Sequence, residues 1–246
     1  MTKRHPLWRA CLAELLGTGM LTLAVVGSGI AAARLSSDAG IQLGINAAAT
    51  GLALFVIITV FGPASGAHLN PVVSLVDAAL GGRPWKHLAG YVPAQFVGAM
   101  AGVVVANAIF GRSPVSISST DRLSAAHLAG EVAATAGLVL VIFALARNGN
   151  HRVTPVAVAS YIAAAYFFTS STSFANPAVT VGRIFSDTFA GIAPASAVAF
   201  VPAQLVGCLI GGAAAVLLFP ARAAITPSPL LHSSPARGTF ARRRTG

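Results

Sequence analysis

The sequence predicts an all-α membrane protein of six transmembrane helices and two re-entrant half-helices, arranged as an inverted 3+3 repeat. Three observations lead there. Of 246 residues, 55% are hydrophobic and only 9% are charged, whereas soluble domains carry roughly 25% charged residues. Six apolar runs, at 10–33, 41–61, 88–110, 127–146, 154–171 and 196–219, approach the roughly 20 residues a helix needs to cross the hydrocarbon. The dipeptide Asn-Pro occurs twice, at Asn70-Pro71 and Asn176-Pro177, each time closing a short polar stretch.

Each Asn-Pro reads as a helix start. Asn is a favoured N-cap, and Pro is favoured at the first helical position because its missing N–H costs nothing there. The segments that follow, 71–80 and 177–187, are too short to span. The chain therefore runs span, span, half-span, span, and repeats that order. The repeat is also visible in residues: Tyr91-Val-Pro-Ala-Gln-Phe-Val-Gly98 returns as Phe200-Val-Pro-Ala-Gln-Leu-Val-Gly207, and Glu14 early in the first span has Glu131 early in the fourth. Three spans per repeat is an odd number, so the second half inserts upside down relative to the first. The half-helices then enter from opposite faces and meet tip to tip near the midplane, aiming free N–H groups and positive dipole charge at each other.

Domain boundaries follow from these runs. Residues 1–9 form a short, basic cytoplasmic N-terminal segment; no removable signal peptide is expected, because the first apolar run is long enough to remain as a helix. Residues 10–111 are the first repeat, 112–126 an external connecting loop, 127–220 the second repeat, and 221–246 a basic, disordered tail rich in Pro, Ser and Arg. The net charge of +10, from sixteen Lys and Arg against six acids, falls between apolar runs. That pattern points to membrane topology and anionic lipid, not nucleic acid. Lys3, Arg4, Arg9, Arg83, Lys86, Arg147, Arg152 and the tail arginines lie on one side; Arg34, Arg112, Arg122 and Arg183 lie on the other. The bias puts both termini in the cytoplasm. Cys11 and Cys208 sit in apolar segments and read as small buried hydrophobes. There is no nucleophile with a nearby base and no metal-ligand spacing, so neither an enzyme, a metal site nor a cofactor is expected.

Taken together, Ser65-Gly-Ala-His-Leu-Asn-Pro71, Ser173-Phe-Ala-Asn-Pro-Ala178, Ala94-Gln95 with Gly98 and Gly102, and the paired glutamates resemble the major intrinsic protein family of aquaporins and aquaglyceroporins over about residues 10 to 220. The resemblance implies a right-handed bundle with one pore per subunit, a homotetramer, and a multi-pass protein of the bacterial inner membrane. Two positions depart from the family pattern. Val72 replaces Ala behind the first pore asparagine. Val179 stands where most members place the arginine of the outer constriction. Counting back as in the family, the other constriction positions fall on Thr50, Ala164 and Ser173. Such a ring is wide, uncharged and weakly polar. The pattern, including Thr172-Ser-Phe-Ala-Asn-Pro-Ala-Val-Thr180, is most similar to the aquaglyceroporin-like channels associated with bacterial arsenical resistance.

The site expected from these residues has amide donors of Asn70 and Asn176 at the midplane. Backbone carbonyls of Gly66, Ala67, His68 and Leu69 form an acceptor ladder on one side, and those of Thr172, Ser173 and Phe174 on the other. Irregular backbone is tolerated in a membrane where it lines a cavity, and conduction needs sites that replace hydration without holding the solute. Glu14 and Glu131 are expected to accept from loop N–H groups and His68 to brace the first loop. Asp77 and Asp187 would solvate the ends of the half-helices. Gly98, Gly102, Gly207 and Gly211 at four-residue spacing would let helices approach closely. Arg183, one turn beyond Val179, would stand at the outer mouth, either replacing the missing filter arginine or pairing with Asp187 or lipid headgroups. The function expected is passive passage of small uncharged solutes such as glycerol, urea or arsenous acid, with water. A water-selective pore is the alternative, and an ion-coupled secondary transporter is disfavoured by the scarcity of ionisable residues.

Overall fold

The computed structural model describes residues 6–220; the basic tail and the first five residues lie outside it. Eight α-helices are present among the described residues: α1 (Leu7–Leu35), α2 (Ala39–Ser65), α3 (Pro71–Ala79), α4 (Leu88–Ile109), α5 (Ala125–Arg147), α6 (Thr154–Phe168), α7 (Pro177–Gly182) and α8 (Pro194–Leu218). Short 3₁₀ turns precede α4 and α6, and another, Arg183–Phe185, follows α7. Five of the helices, α1, α2, α4, α5 and α8, are long and apolar enough to cross a membrane. The sixth, α6, is shorter than the 154–171 run. It stops at Phe168, where Thr169 turns extended and its hydroxyl bonds back to the Ala165 carbonyl at 2.7 Å. The following Ser170 and Ser171 offer side-chain bonds that compete with helix continuation. With its leading 3₁₀ turn, α6 still covers 151–168.

Helix limits follow local chemistry. Asp38 caps α2 through Ile41 N–H, and Ser124 caps α5 through His127 N–H. α2 ends on Gly66 in the left-handed region at φ 89°, the usual conformation of a residue closing a helix. The two short helices begin as their Asn-Pro motifs predict: Asn70 accepts from Val72 N–H, and Asn176 from Ala178 and Val179 N–H. α7 is only six residues long, shorter than the 177–187 expected, because the chain tightens into a 3₁₀ turn at Arg183.

The most extensive helix pairings are α1 with α4 and α5 with α8. They depend on glycine. A Cβ on Gly98 would lie 2.2 Å from the Leu15 carbonyl oxygen, and one on Gly102 would lie 2.1 Å from that of Gly19. In the second half, Gly207 and Gly211 press in the same way against the carbonyls of Val132 and Ala136. Small residues at such crossings give van der Waals contact where no hydrophobic force drives association. The outward faces carry exposed apolar side chains, among them Leu52, Leu209 and Leu217, as a lipid-facing surface requires.

Several buried polar side chains bond between segments far apart in the chain. Asn107 donates to the carbonyls of Pro114 and Phe185 and accepts from Ser186 Oγ, tying the connecting loop to the end of the second half-helix.

Candidate functional site: a channel between two re-entrant loops

The loops before α3 and α7 hold five non-glycine residues in the left-handed region: Ala67, Leu69, Thr172, Ser173 and Ala175. Each such residue costs on the order of 1–3 kcal/mol, so something must hold the backbone. In the first loop it is Glu14, fully buried, which accepts from His68 N–H (2.9 Å), Leu69 N–H (2.6 Å), Ser65 Oγ (2.6 Å) and Gln95 Nε2 (2.8 Å). In the second, Glu131 accepts from Phe174 N–H and Ala175 N–H at 2.9 Å each and from Gln204 Nε2 at 2.6 Å. Gln95 and Gln204 also donate to Ser74 and Thr180 on the two half-helices. Every partner of the two acids is a donor, which suits a carboxylate that accepts at both oxygens. The repeat seen as a sequence echo is thus one hydrogen-bonded frame built twice.

The two loops also hold each other. Asn70 Nδ2 donates to the Ala175 carbonyl at 2.8 Å, and Asn176 Nδ2 donates to the Leu69 carbonyl at 2.7 Å. Each amide therefore spends one N–H on the opposite loop, and both residues border the cavity. The half-helix starts stand head to head, joined by a reciprocal bond between residues more than a hundred positions apart.

A cavity of about 280 Å³ runs past this junction. One wall is polar: Gly66 to Asn70 of the first loop and Ser173 to Asn176 of the second. The other is apolar. It includes Leu21 and Val25 of α1, Leu54 and Ile58 of α2, and Leu138 and Ile142 of α5. Leu21 stands seven residues after Glu14 and Leu138 seven after Glu131, so the wall repeats as well.

Of the four positions expected at the constriction, Thr50, Ser173 and Val179 border the cavity. Ala164 does not. It is exposed on the outer face of α6, and Val158, Ile162 and Tyr166 line the cavity instead. These three are spaced by four and share one helix face; Ala164 is rotated by about 200° from Ile162. Counting back from Asn176 misses this because α6 ends at Phe168 and the loop that follows is irregular. The missed signal was the bulky stripe itself, set among the small residues Ala163, Ala164 and Ala165. Tyr166 is buried, and its hydroxyl lies 3.0 Å from Thr50 Oγ1. Thr172 is a second correction: it is half-buried outside the cavity lining, its N–H bonded to Thr169. The Leu69 carbonyl borders the cavity but is already engaged by Asn176.

Arg183 lies against the cavity and is buried. Its Nε donates to the Ala190 carbonyl, and its guanidinium carbon lies 3.5 Å from the centroid of the Phe174 ring. It does not pair with Asp187, which accepts from Ser119 N–H and Oγ at 3.0 Å each. Arg122 of the connecting loop lies 5.3 Å from the same ring and donates to the carbonyls of Gly191 and Phe189.

At the other mouth, Arg83 was missed as a cavity residue. It donates to Tyr91 Oη at 3.0 Å, lies 3.4 Å from His68 Nε2 and 3.8 Å from Asp77, and borders the cavity beside His151. Arginine only donates, so His68 Nε2 accepts and Nδ1 carries the proton toward Ser74 Oγ, 3.0 Å away. His68 thus braces the first half-helix. Asp77 faces Arg83 and His68 rather than open solvent.

Comparison with known proteins decides the family. The family model for Major intrinsic protein matches residues 1–175. The chain belongs to the major intrinsic protein family. The match ends one residue before the second Asn-Pro, and the second half-helix and its frame complete the pattern in the structure. Aquaglyceroporin AqpS of Rhizobium meliloti (strain 1021) is 47% identical over 203 residues, covering 82% of this chain and 87% of that protein. The lens fiber major intrinsic protein of Gallus gallus is 29% identical over 231 residues, covering 86% and 80%. Among solved structures, the aquaglyceroporin from Plasmodium falciparum shares the fold at a TM-score of 0.65 and 22% identity, covering 87% of this chain and 96% of that one. The protein is a multi-pass membrane channel for small solutes.

Proposed function

We propose that this member of the major intrinsic protein family passes small uncharged solutes (glycerol, urea and arsenous acid, together with water) down their concentration gradients. The observation that carries the reading is Val179 at the cavity wall directly after the second Asn-Pro-Ala, in place of a side chain that would fill the bore with charge. Likeness to a protein named as an aquaglyceroporin supports it. One free N–H on each of Asn70 and Asn176 offers a donor at the junction, and the carbonyls of Gly66, Ala67, His68, Ser173 and Phe174 offer acceptors. The apolar wall opposite leaves a solute little else to bond, so exchange along the ladder stays weak at each step. Arg183 supplies positive charge one turn beyond Val179 and so partly replaces the filter arginine while leaving the ring open. The protein acts as a homotetramer in the bacterial inner membrane, with both termini in the cytoplasm.

Stopped-flow light scattering on proteoliposomes with glycerol, urea and arsenous acid tests this. Solute flux well above protein-free vesicles without any ion gradient is expected. Val179→Arg should cut solute flux more than water flux. Fast water flux with no solute flux would replace this reading with a water-selective pore, and a requirement for an ion gradient would replace it with a transporter.

A further inference from the structure

Two arginines converge on one phenylalanine ring with no acid to neutralise them. The guanidinium carbons of Arg183 and Arg122 lie 3.5 and 5.3 Å from the centroid of Phe174. Among the described residues, neither arginine has a carboxylate within ion-pair distance. We propose that Arg183 and Arg122 form a binding site for a small oxyanion at the cavity wall. The inference goes beyond the passage of neutral solutes, because this ligand carries charge and is held rather than passed.

A guanidinium carries five N–H donors and no acceptor. Arg183 is only 3% exposed, borders the cavity and uses Nε alone, on the Ala190 carbonyl. Its two terminal nitrogens have no hydrogen-bond partner among the described residues, and neither is fully enclosed by protein. Arg122, half-buried on the connecting loop, uses Nε on Gly191 and Nη2 on Phe189 and leaves Nη1 without a partner. A charge removed from bulk water needs a counter-charge and hydrogen-bond acceptors. Glu131 does not supply them, because its oxygens are taken by Phe174 N–H, Ala175 N–H and Gln204. An oxyanion fits what is left. It brings the missing negative charge, only accepts, and matches the planar fork of arginine with two oxygens. A neutral solute would satisfy the N–H groups but leave the charge uncompensated.

The donors are fixed before an anion arrives. Phe189, Ala190 and Gly191 are consecutive, and their carbonyls hold both guanidiniums to one turn. That turn is tightly packed: a Cβ on Gly191 would lie 2.3 Å from the Ser186 carbonyl oxygen. The Phe174 ring beneath the arginines rests edge-on against Phe200. Donors held this way lose little freedom when a ligand binds. Because Arg183 borders the cavity, an anion bound to it stands in the way of a passing solute, and its occupancy slows neutral flux.

The probe is inorganic phosphate, titrated at fixed ionic strength into the purified full chain in neutral detergent and read by isothermal titration calorimetry. Saturable binding is expected. Arg183→Gln should weaken it by at least about tenfold and Arg122→Gln by about three- to tenfold, as the loss of charge-assisted hydrogen bonds implies. Arg183→Lys should fall between wild type and Arg183→Gln, since it keeps the charge and loses the fork. In proteoliposomes, wild-type glycerol flux should drop by more than about half once phosphate saturates the site, and the drop should shift to higher phosphate in Arg122→Gln by the same factor as the affinity. If Arg183→Gln fails to fold, Arg183→Lys and Arg122→Gln carry the comparison. No saturable binding, or wild-type affinity in the variants, overturns the proposal. Phosphate binding that leaves glycerol flux unchanged puts the anion elsewhere and overturns it as well. Wild-type protein that passes no glycerol overturns the solute reading alone, because the titration and its variants then decide this one.

Discussion

The guanidinium of Arg183 stacks on the ring of Phe174, with 3.5 Å between the guanidinium carbon and the ring centroid. Arginine thus reaches the cavity from the 3₁₀ turn after the second half-helix and not from the residue following Asn-Pro-Ala. Its position is held by three things: the ring beneath it, the Ala190 carbonyl that accepts from Nε, and an edge-on contact of Phe174 with Phe200 at 5.4 Å between centroids.

Arg183→Ala removes the fixed positive charge there. Cation conductance should rise on the order of tenfold, as a barrier lowered by about 1.4 kcal/mol implies, while neutral-solute flux is largely kept. Phe174→Leu, which keeps the charge but loses the stack, should lower stability by roughly 0.5–2 kcal/mol with cation exclusion intact. Bilayer conductance and solute flux on the same purified variants check both. Wild-type cation exclusion in Arg183→Ala would assign the residue to structure.

The reciprocal bonds of Asn70 and Asn176 predict more than a lost pore donor. Asn176→Asp would set a carboxylate against the Leu69 carbonyl, replacing attraction by repulsion across the junction. Loss of a buried bond with an acceptor left facing an acceptor costs about 1–3 kcal/mol, and the added negative charge favours cations at the junction. Reduced thermal stability and a cation leak are the expected outcomes, read by thermal denaturation and by conductance. Asn70→Asp should behave alike because it loses the matching bond to Ala175.

Glu131→Gln keeps the shape of the side chain but turns one of its two acceptor ends into a donor. Glu131 faces three donors, so at least one N–H must clash or go unpaired. Each charge-assisted bond lost costs roughly 1.5–3 kcal/mol, and the strained backbone at Ser173 and Ala175 loses its clamp. We expect a lower thermal midpoint and faster amide exchange at Phe174 and Ala175. Unchanged exchange there would show that the loop is held by other contacts. Glu14→Gln is the matching test in the first loop.

In the segment after the second half-helix, beyond any spanning helix, Asp187 receives hydrogen bonds from Ser119 N–H and Oγ, which hold its carboxyl below the usual range, with Arg112 nearby adding to the effect. A carboxyl whose folded value is depressed stabilises the folded form above its unfolded value of about 3.9. That contribution is lost as pH falls through the lower folded value. Protection of the Ser119 amide should therefore be flat at neutral pH and decline only below about pH 4. In Asp187→Asn it should be weaker at neutral pH and should lack that acid-dependent step. Amide exchange followed by mass spectrometry reads both.

The apolar runs, the two Asn-Pro helix starts, the paired glutamates and the glycine spacing were all legible in the chain. Each rests on local physics: hydrocarbon thickness, capping of free N–H groups, and the need for small residues where helices touch. The frame around each loop was half legible, since Glu14, Glu131, Gln95 and Gln204 were visible as an echo but their shared bonds were not. Tertiary structure alone decided which face of α6 meets the cavity. That depends on where the helix gives way to left-handed loop backbone, and residue counting assumes a loop length the chain does not announce. It alone decided, too, that Arg183 lies over Phe174 and not beside Asp187. Four-residue spacing brings two side chains onto one face of a helix, but the second half-helix ends at Gly182, before that face extends far enough to carry the pair.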